Sequence, residues 1–400
     1  MGRPGTTANL RRPATPLVAD KPLSRLLDEG YDVVEQAGHL VVRHIPYVTE
    51  ARTVQYGFLA YPVTVSGDRV VSDSDHRIWF GGSVPCDEHG RRLPMANPEV
   101  RTIADGVQVD FMLSSKPGPS GYPDHYTKVT AYTRMIADQA QTLDRTVTAT
   151  PGAAWQEVED DSPFVYRDTA TSRAGLAAVH RRFRGHHIAI IGLGGTGGYI
   201  LDQVAKTEVE SILLIDGDRF DNHNAFRAPG AAPLETLRER PNKAAYFASV
   251  YSRMHRGVTA YEHYVDEDNL DVLAGATFVF LASDDALSKP PIMDWLEAHD
   301  VPFIDVGMGV EEIDGKLTGL LRVSTSLPGR RAQARRRIPA PAPERDDYSR
   351  NIQTADLNAL NALLAIDRWK RHLGVYADAT DEVFTTYSVI TNEIANEDLP

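Results

Sequence analysis

Four short, almost wholly apolar runs recur in the second half of the chain and alternate with helical segments. The apolar runs are Ile188–Ile191, Ile212–Ile215, Phe278–Ala282 and Phe303–Val306, and the helical segments are Gly197–Lys206, Lys243–Arg253 and Ile292–His299. Strands that lack polar alternation are buried on both faces, as in a parallel sheet covered by helices. The pattern therefore predicts an α/β fold with a doubly wound sheet.

The first half of the chain has strand-like runs bounded by helices. A short amphipathic helix that starts at Leu23 precedes the runs His39–His44, Tyr56–Val65 and His76–Phe80, and a helix at Tyr126–Leu143 follows them. These elements predict a small α+β domain. The predicted division of the chain is a flexible arm at 1–20, the N-terminal α+β domain at 21–148, a turn-rich linker at 149–170 and the α/β domain at 171–400, with a late helix at about 354–373.

Composition narrows the class of protein. The 400 residues include 42 Lys and Arg against 55 Asp and Glu, a net charge of −13, which argues against general binding to nucleic acid or to a membrane surface. No window approaches 18 uncharged apolar residues, so we expect no membrane-spanning helix; the N-terminus also lacks the apolar core of a signal peptide. Because Cys86 is the only cysteine, we expect no internal disulfide and no structural zinc held by cysteines. These features predict a soluble, cytoplasmic protein.

A glycine-rich turn joins the first apolar strand of the α/β domain to the next helix. Its candidate nucleotide-binding glycines are Gly192, Gly194, Gly195 and Gly197. Glycines let the backbone turn tightly and approach a phosphate closely, and the helix N-terminus supplies unpaired N–H groups. Such a turn suits NAD, FAD, S-adenosylmethionine and ATP alike. The alternative is a turn whose glycines serve only close packing of helix and strand.

Polar residues after the second apolar strand narrow the choice of nucleotide. Asp216 follows that strand, and an acid at this position can accept hydrogen bonds from both ribose hydroxyls. Asn224, Arg227 and Lys243 follow it and could converge on a triphosphate, where Arg offers bidentate geometry and Lys a point charge. A dehydrogenase needs no such set, so the residues favour ATP over NAD.

Taken in order, these motifs resemble the ThiF/MoeB superfamily, the adenylating domains of ubiquitin-activating-type enzymes. The matching motifs are Gly192–Gly197, Asp216-Gly-Asp218, Asn224-Ala-Phe-Arg227, Lys243 and Ser283-Asp284-Asp285. The resemblance covers about residues 170–375 and implies a Rossmann-like adenylation domain of the ThiF type. It also implies that Asp216 binds the ribose, with Asp218 beside it, and that Asn224, Arg227 and Lys243 contact the phosphates.

The resemblance further implies a metal and a dimer. Asp284 would hold Mg²⁺ or orient the triphosphate, and Asp285 is a second candidate, because two adjacent acids need a metal or a cation nearby. Lys289 stands where the family often has an arginine. Arg173 resembles the arginine that family members insert into the site of their dimer partner, so a homodimer is implied. ATP and Mg²⁺ are the implied cofactors.

Cys86 is a candidate acyl acceptor. Ubiquitin-activating enzymes pass the acyl group to a cysteine in the activating half, and no cysteine follows Cys86 in this chain. The order of elements around Cys86 loosely matches that of ubiquitin-conjugating enzymes. However, Asp87 and Glu88 would raise the pKa of its thiol, and the alternative is a small buried hydrophobe.

An arginine cluster marks the region that corresponds to the family's crossover loop. Five arginines lie between Arg330 and Arg337, within a segment at about 326–350 that would cross over the bound tail of the substrate. The cluster suits a clamp over an acidic partner surface. The alternative is a solvated, disordered charge run.

The predicted function is ATP-dependent adenylation of the C-terminal carboxylate of a ubiquitin-like protein that ends in glycine. The products would be an acyl adenylate and pyrophosphate, as the first step of a conjugation or sulfur-transfer pathway with a downstream conjugating partner. Three alternatives stay open: a NAD-dependent oxidoreductase, a non-catalytic scaffold that binds nucleotide or the ubiquitin-like protein, and adenylation of a small-molecule or tRNA-borne carboxylate.

Overall fold

A computed structural model describes residues 20–66, 69–71, 75–104, 107–156, 158, 162–174, 176–285, 287–339 and 352–396. The chain divides into two compact units, one formed by Met1–Ser162 with Tyr166–Arg173 and the other by Pro163–Val165 with Ala174–Pro400. The predicted arm, apart from Asp20, and the end of the predicted crossover loop lie outside the described residues. Within the described residues, no helix is long and apolar enough to cross a membrane.

The first unit is an antiparallel sheet with helices. Its elements are α1 (Lys21–Asp28), β1 (Asp32–Gln36), β2 (His39–Val48), β3 (Val54–Pro62), β4 (Thr64–Ser66), β5 (Arg69–Val71), β6 (Ile78–Gly81), β7 (Ala96–Ala104), β8 (Val107–Leu113), α2 (His125–Leu143) and α3 (Thr169–Arg173). Six strands form a sheet in the order β1-β2-β3-β6-β8-β7, and β4 and β5 form a separate hairpin. Helix α2 packs on β2, and Tyr61, Phe80 and Tyr132 are fully buried in the core.

The second unit alternates strands with helices and then ends in a group of antiparallel strands. Its elements are α4 (Ala177–His180), β9 (His187–Ile191), α5 (Gly195–Val204), β10 (Ser211–Ile215), α6 (Asn222–Ala225), α7 (Leu234–Glu239), α8 (Lys243–Tyr251), β11 (Val258–Tyr261), β12 (Phe278–Leu281), α9 (Lys289–Ala298), β13 (Phe303–Ile313), β14 (Lys316–Ser326), α10 (Arg331–Arg335), α11 (Ala355–His372), β15 (Phe384–Ser388) and β16 (Glu393–Asn396).

The sheet of the second unit has the order β11-β10-β9-β12-β13-β14-β15-β16. The pairs from β11 to β13 are parallel and those from β13 to β16 are antiparallel. The chain leaves β9 toward β10 on one side and returns to β12 on the other. In open α/β sheets, ligands bind at the carboxyl ends of the strands where the order reverses in this way. The glycine turn after β9 and Ser283 after β12 lie at that point.

The predicted α/β fold is confirmed, as are the four apolar strands and the helix predicted at Tyr126–Leu143. The single strand predicted at Tyr56–Val65 is wrong, because Val63 separates β3 from β4. Strands β7, β8, β14, β15 and β16 were not predicted, since their exposed faces carry mixed polar and apolar residues. The first half of the predicted linker packs on the first unit: the Gly152 amide donates to the Gly30 carbonyl (3.0 Å), and the Gln156 side chain donates to the Leu27 carbonyl (2.7 Å).

Candidate nucleotide site

The glycine turn after β9 combines tight packing with one open position. Gly192 has a φ of +88°, and a Cβ placed on it would lie 2.5 Å from the Ser283 nitrogen. A Cβ on Gly197 would overlap the Gly192 carbonyl oxygen, and one on Gly195 would overlap the Asn358 side chain. By contrast, a Cβ on Gly194 would have no heavy atom within 4 Å. Packing therefore accounts for three of the glycines and leaves open space in front of Gly194.

Helix α5 begins at this turn. Its N-cap is Gly194, and no side chain in the described part of the chain caps it. The first amide groups of a helix have no partner within the helix, and the helix dipole places partial positive charge there. An uncapped N-terminus that faces open space is therefore suited to bind an anionic group such as a phosphate.

Asp216 follows β10 and is fixed against the glycine turn. Its Oδ2 accepts a hydrogen bond from the Leu193 amide at 2.7 Å, and its Oδ1 accepts one from the Asp218 amide at 2.8 Å. Burial raises the pKa of this carboxyl, against the opposing effects of Lys243 and of the two amides. The carboxylate is thus held in one orientation next to the turn, as a ribose-binding acid requires.

Lys243, the first residue of α8, lies beside Asp216 and Asp218. Its Nζ is 2.7 Å from Asp218 Oδ2 and 3.8 Å from Asp216 Oδ1, and its side chain is only 9% exposed. Burial would raise the pKa of Asp218, but the hydrogen bonds from Lys243 and Tyr264 outweigh that effect and hold the pKa below its ordinary value. Lys243 is therefore neutralised by two carboxylates beside the glycine turn.

Tyr264 belongs to this cluster and was missed by the sequence reasoning. Its hydroxyl donates to Asp218 Oδ1, and a Cβ on Gly217 would meet its ring at 2.7 Å. The ring is 61% exposed, and the hydrogen bond to Asp218 raises the pKa of the phenol to about 12. No motif marks Tyr264, because it lies in the loop after β11 and reaches the site only through the fold.

Asn224 and Arg227 offer buried donors. The Asn224 Oδ1 accepts from the Asp221 amide at 2.9 Å, which completes a capping box at the start of α6. Among the described residues, neither Asn224 Nδ2 nor Arg227 Nε has a hydrogen-bond partner. Buried donors without partners are costly, and phosphate oxygens would satisfy them. Arg227 precedes Pro229, which lies 3.1 Å from a Cβ placed on Gly198 of α5.

Asp284 and Asp285 follow β12 at the carboxyl edge of the sheet, and both are exposed. The Asp285 Oδ1 accepts from the Leu287 amide at 2.9 Å. Within the part of the chain that the structure describes, no three His, Cys, Asp or Glu residues are grouped so that they could hold a metal ion. Mg²⁺ in proteins is usually held by one or two carboxylates together with substrate phosphates and water.

A cavity of about 740 Å³ opens beside Asp284. Its lining includes Thr196 of the glycine turn, Ser283 and Asp284, together with Gly307 of β13 and Arg322 of β14. Lys289, which stands where the family often has an arginine, also faces this cavity.

Cys86 is buried in the first unit, with 1% of its surface exposed. Its Sγ donates to the Val84 carbonyl at 3.4 Å, and its burial, together with Glu50 and Asp87, raises the pKa of the thiol. A thiol nucleophile needs a low pKa and access to its partner. The acyl-accepting role of Cys86 stays a prediction that this environment does not support.

The arginine cluster is ordered against its own unit in the described residues. Arg335 pairs with Glu297 at 3.0 Å and with Asp294 at 2.5 Å, and Arg331 pairs with Asp300 at 3.1 Å. Arg331 and Arg335 are thus paired with acids of their own unit. The clamp over an acidic partner stays a prediction. Arg173 ends α3, and its side chain lies outside the described residues, so its role in a partner's site also stays a prediction.

The glycine turn, the fixed acid and the buried donors are features of a nucleotide-binding α/β domain. The chain belongs to the ThiF family, whose profile matches residues 167–388; residues 21–169 match a domain of unknown function, DUF6791. No curated protein matches the chain.

Solved structures similar to this chain include two complexes of E. coli MccB and the protein PaaA. The chain is 15% identical to MccB with MccA-N7isoASN (TM-score 0.45, covering 58% of this chain and 72% of that one). It is 15% identical to E. coli MccB with ATP (TM-score 0.43, covering 58% of this chain and 72% of that one). It is 16% identical to PaaA (TM-score 0.39, covering 55% of this chain and 75% of that one). Such low values carry no conclusion about function.

Proposed function

We propose that this protein adenylates the C-terminal carboxylate of a ubiquitin-like protein that ends in glycine. Membership of the ThiF family makes it an ATP-dependent adenylating enzyme that acts on a substrate carboxylate. The observation that carries the proposal is the convergence of Asp216, Lys243 and the open Gly194 at the uncapped start of α5. The finer assignment of the substrate rests on the order of the sequence motifs.

In this proposal the chain supplies position and charge rather than covalent chemistry. The substrate carboxylate attacks the α-phosphate of ATP, forming the acyl–phosphate bond while pyrophosphate leaves. Asp216 would hold the ribose hydroxyls, and the α5 amides with Asn224 and Arg227 would bind the phosphates. Lys243 would leave Asp218 to meet the charge that develops on the phosphate oxygens. Such placement of charge is the main source of catalysis in phosphoryl-type transfers.

Mg²⁺ would be held at Asp284, with Asp285 as the second candidate, and by the phosphates. When bound, it would neutralise charge on the triphosphate and on the leaving pyrophosphate. The exposure of both acids is compatible with an ion that arrives together with ATP. A homodimer in which Arg173 reaches the partner's site, a cytoplasmic location and a downstream conjugating partner belong to the same proposal.

The direct test is ATP–pyrophosphate exchange with candidate ubiquitin-like proteins. Wild-type protein should exchange label only with ATP, Mg²⁺ and a substrate that has a free C-terminal carboxylate. Asp284→Asn should abolish exchange, while Asp314→Asn, a matched change in the exposed β13–β14 turn, should not alter it. Protection of the wild type by NAD but not by ATP in a thermal-shift assay would contradict the proposal.

The proposed role of Arg173 has its own test. Mixed dimers of Arg173→Ala and Asp284→Asn chains contain one site that lacks both changes if Arg173 acts in the partner's site. We expect such mixtures to regain up to about one quarter of wild-type exchange, since random mixing makes half of the dimers mixed and each of these has one intact site. Proven subunit mixing without any recovery would contradict the role in trans.

A further inference from the structure

The cavity beside Asp284 contains two cations held on one buried carboxylate. Asp305, on β13, is fully buried. Its Oδ1 accepts from Lys289 Nζ at 2.6 Å, and its Oδ2 lies 2.7 Å from an Arg322 amino group. The side chains of Lys289 and Arg322 are only 11% and 16% exposed, and both line the cavity.

This cluster carries an excess of positive charge. Lys289 and Arg322 together bring two positive charges, and Asp305 balances one of them. Both cations face the same carboxylate, so the three buried side chains together carry one net positive charge, which favours an anionic ligand. Two other acids line the same cavity, Asp284 and Glu311. Asp284 is the proposed Mg²⁺ ligand, and Glu311 is exposed and lies six residues along β13 from Asp305.

Part of the cavity wall next to the cluster is glycine backbone. A Cβ on Gly307 would lie 2.5 Å from the Arg322 amino group, so the guanidinium takes the space that a side chain would fill. Gly309 and Gly319 also line the cavity, and a Cβ on Gly319 would overlap the Gly309 carbonyl oxygen. The Asn361 amide donates to the Gly307 carbonyl at 3.1 Å, which holds this strand in place. The three glycines leave room there for a slender, extended peptide.

We propose that Arg322 and Lys289, held in place by Asp305, bind the carboxylate that is to be adenylated. The proposal rests on the proposed adenylating function and assigns its carboxylate site. The ligand is the free α-carboxylate of a peptide whose last residues are small. One Arg322 amino group donates to Ser324 Oγ at 2.8 Å and the other faces Asp305, which fixes the planar guanidinium. Each amino group has a second N–H, and these would donate to the carboxylate. Lys289 adds a point charge, and Asp305 is a positioning residue that fixes both cations.

The test uses N-acetyl-glycylglycine as a minimal probe and its C-terminal amide as the uncharged counterpart. Binding is measured by ligand-observed NMR in the presence of a non-hydrolysable ATP analogue. The wild type should bind the free acid and not the amide. Arg322→Gln should weaken binding of the acid by about tenfold or more, equivalent to about 1.4 kcal/mol, and Lys316→Gln, an exposed cation at the start of β14, should leave it unchanged.

The positioning role of Asp305 is tested by the kinetics of ATP–pyrophosphate exchange with the same probe. Asp305→Asn should raise KM for the acid more than it lowers kcat and should leave KM for ATP unchanged, and Asp305→Glu should restore part of the loss. A merely structural role would change KM for the acid and KM for ATP together. If wild type binds acid and amide alike, binds neither up to about 50 mM (a Kd that corresponds to under 2 kcal/mol), or keeps its affinity in Arg322→Gln, the carboxylate site is refuted. ATP–pyrophosphate exchange of the wild type with candidate ubiquitin-like proteins, measured separately, tests the proposed function itself.

Discussion

Replacing Gly194 with alanine separates the two reasons for a glycine-rich turn. A Cβ at this position has no heavy atom within 4 Å, and the residue has a φ of −69°, which alanine adopts freely. The fold therefore has no need of glycine here. A phosphate that approaches the start of α5 does need it, since the methyl group would stand in front of the free amides.

The expected magnitudes differ enough to be measured. Alanine is a poorer N-cap than glycine, so the substitution should cost about 1 kcal/mol of stability, a fall in Tm of about 2–4 °C for a unit of this size. Each hydrogen bond between an amide and a charged phosphate contributes about 1.5–3 kcal/mol. Loss of one such bond should weaken ATP binding by roughly 10- to 100-fold.

The assay pairs isothermal titration calorimetry of ATP with thermal unfolding. Gly118→Ala, also in open space, is the matched control and should change neither quantity. Gly197→Ala is the opposite case, because its Cβ would overlap the Gly192 carbonyl; it should lower stability by about 1–3 kcal/mol or more. Unchanged ATP affinity in a stable Gly194→Ala protein would refute the assignment of phosphate to this helix end.

Three further predictions concern other groups. The hydrogen bond from Arg77 lowers the pKa of Asp75 to about 2 from its usual 3.8. The stabilisation that ionised Asp75 contributes is therefore present above about pH 4 and is lost as the pH falls toward 2. Arg77→Gln should raise the pKa of Asp75 in an NMR titration, and an unchanged pKa would contradict the assigned cause. Arg368→Met removes a 4% exposed side chain that pairs with Asp378 at 2.6 Å, and urea unfolding should show a loss of about 3–5 kcal/mol. Tyr264→Phe removes a donor to Asp218, whose pKa should rise toward its ordinary value in the same kind of titration.

The ordered motifs were enough to predict the part of the site that lies along the parallel strands. Buried strands in a parallel sheet leave a clear apolar signal, and their carboxyl ends meet at one edge, so Asp216 was expected beside the glycine turn. Lys243 was expected to point toward the same phosphates from the start of a helix. Asp216 accepts from the Leu193 amide of the turn, and Lys243 lies 3.8 Å from Asp216, while the roles of both residues stay predictions. Asn224 was predicted as a phosphate ligand, but its second role, as part of the α6 capping box, has no separate signal.

The antiparallel part of the second unit could not be predicted in the same way. Strands β14 to β16 have one open face, and the pairing of Asp305 with Arg322 joins positions that are distant in sequence and have no fixed spacing. Tyr264 was missed for the same reason. Lys289 was noticed only as a departure from the family pattern, and its partner shows why lysine stands there: Asp305 Oδ1 receives its ammonium group directly.

The pairing of Lys243 with Asp218 and Asp216 has a consequence for turnover. A ligand that binds the ammonium group of Lys243 must compete with the two carboxylates that already contact it. This competition favours the ligand with the most negative charge. A triphosphate carries more negative charge than a monophosphate ester and would therefore compete better for the ammonium group. In the proposed function, this competition would favour ATP over AMP, and AMP would leave as Lys243 returns to Asp216 and Asp218.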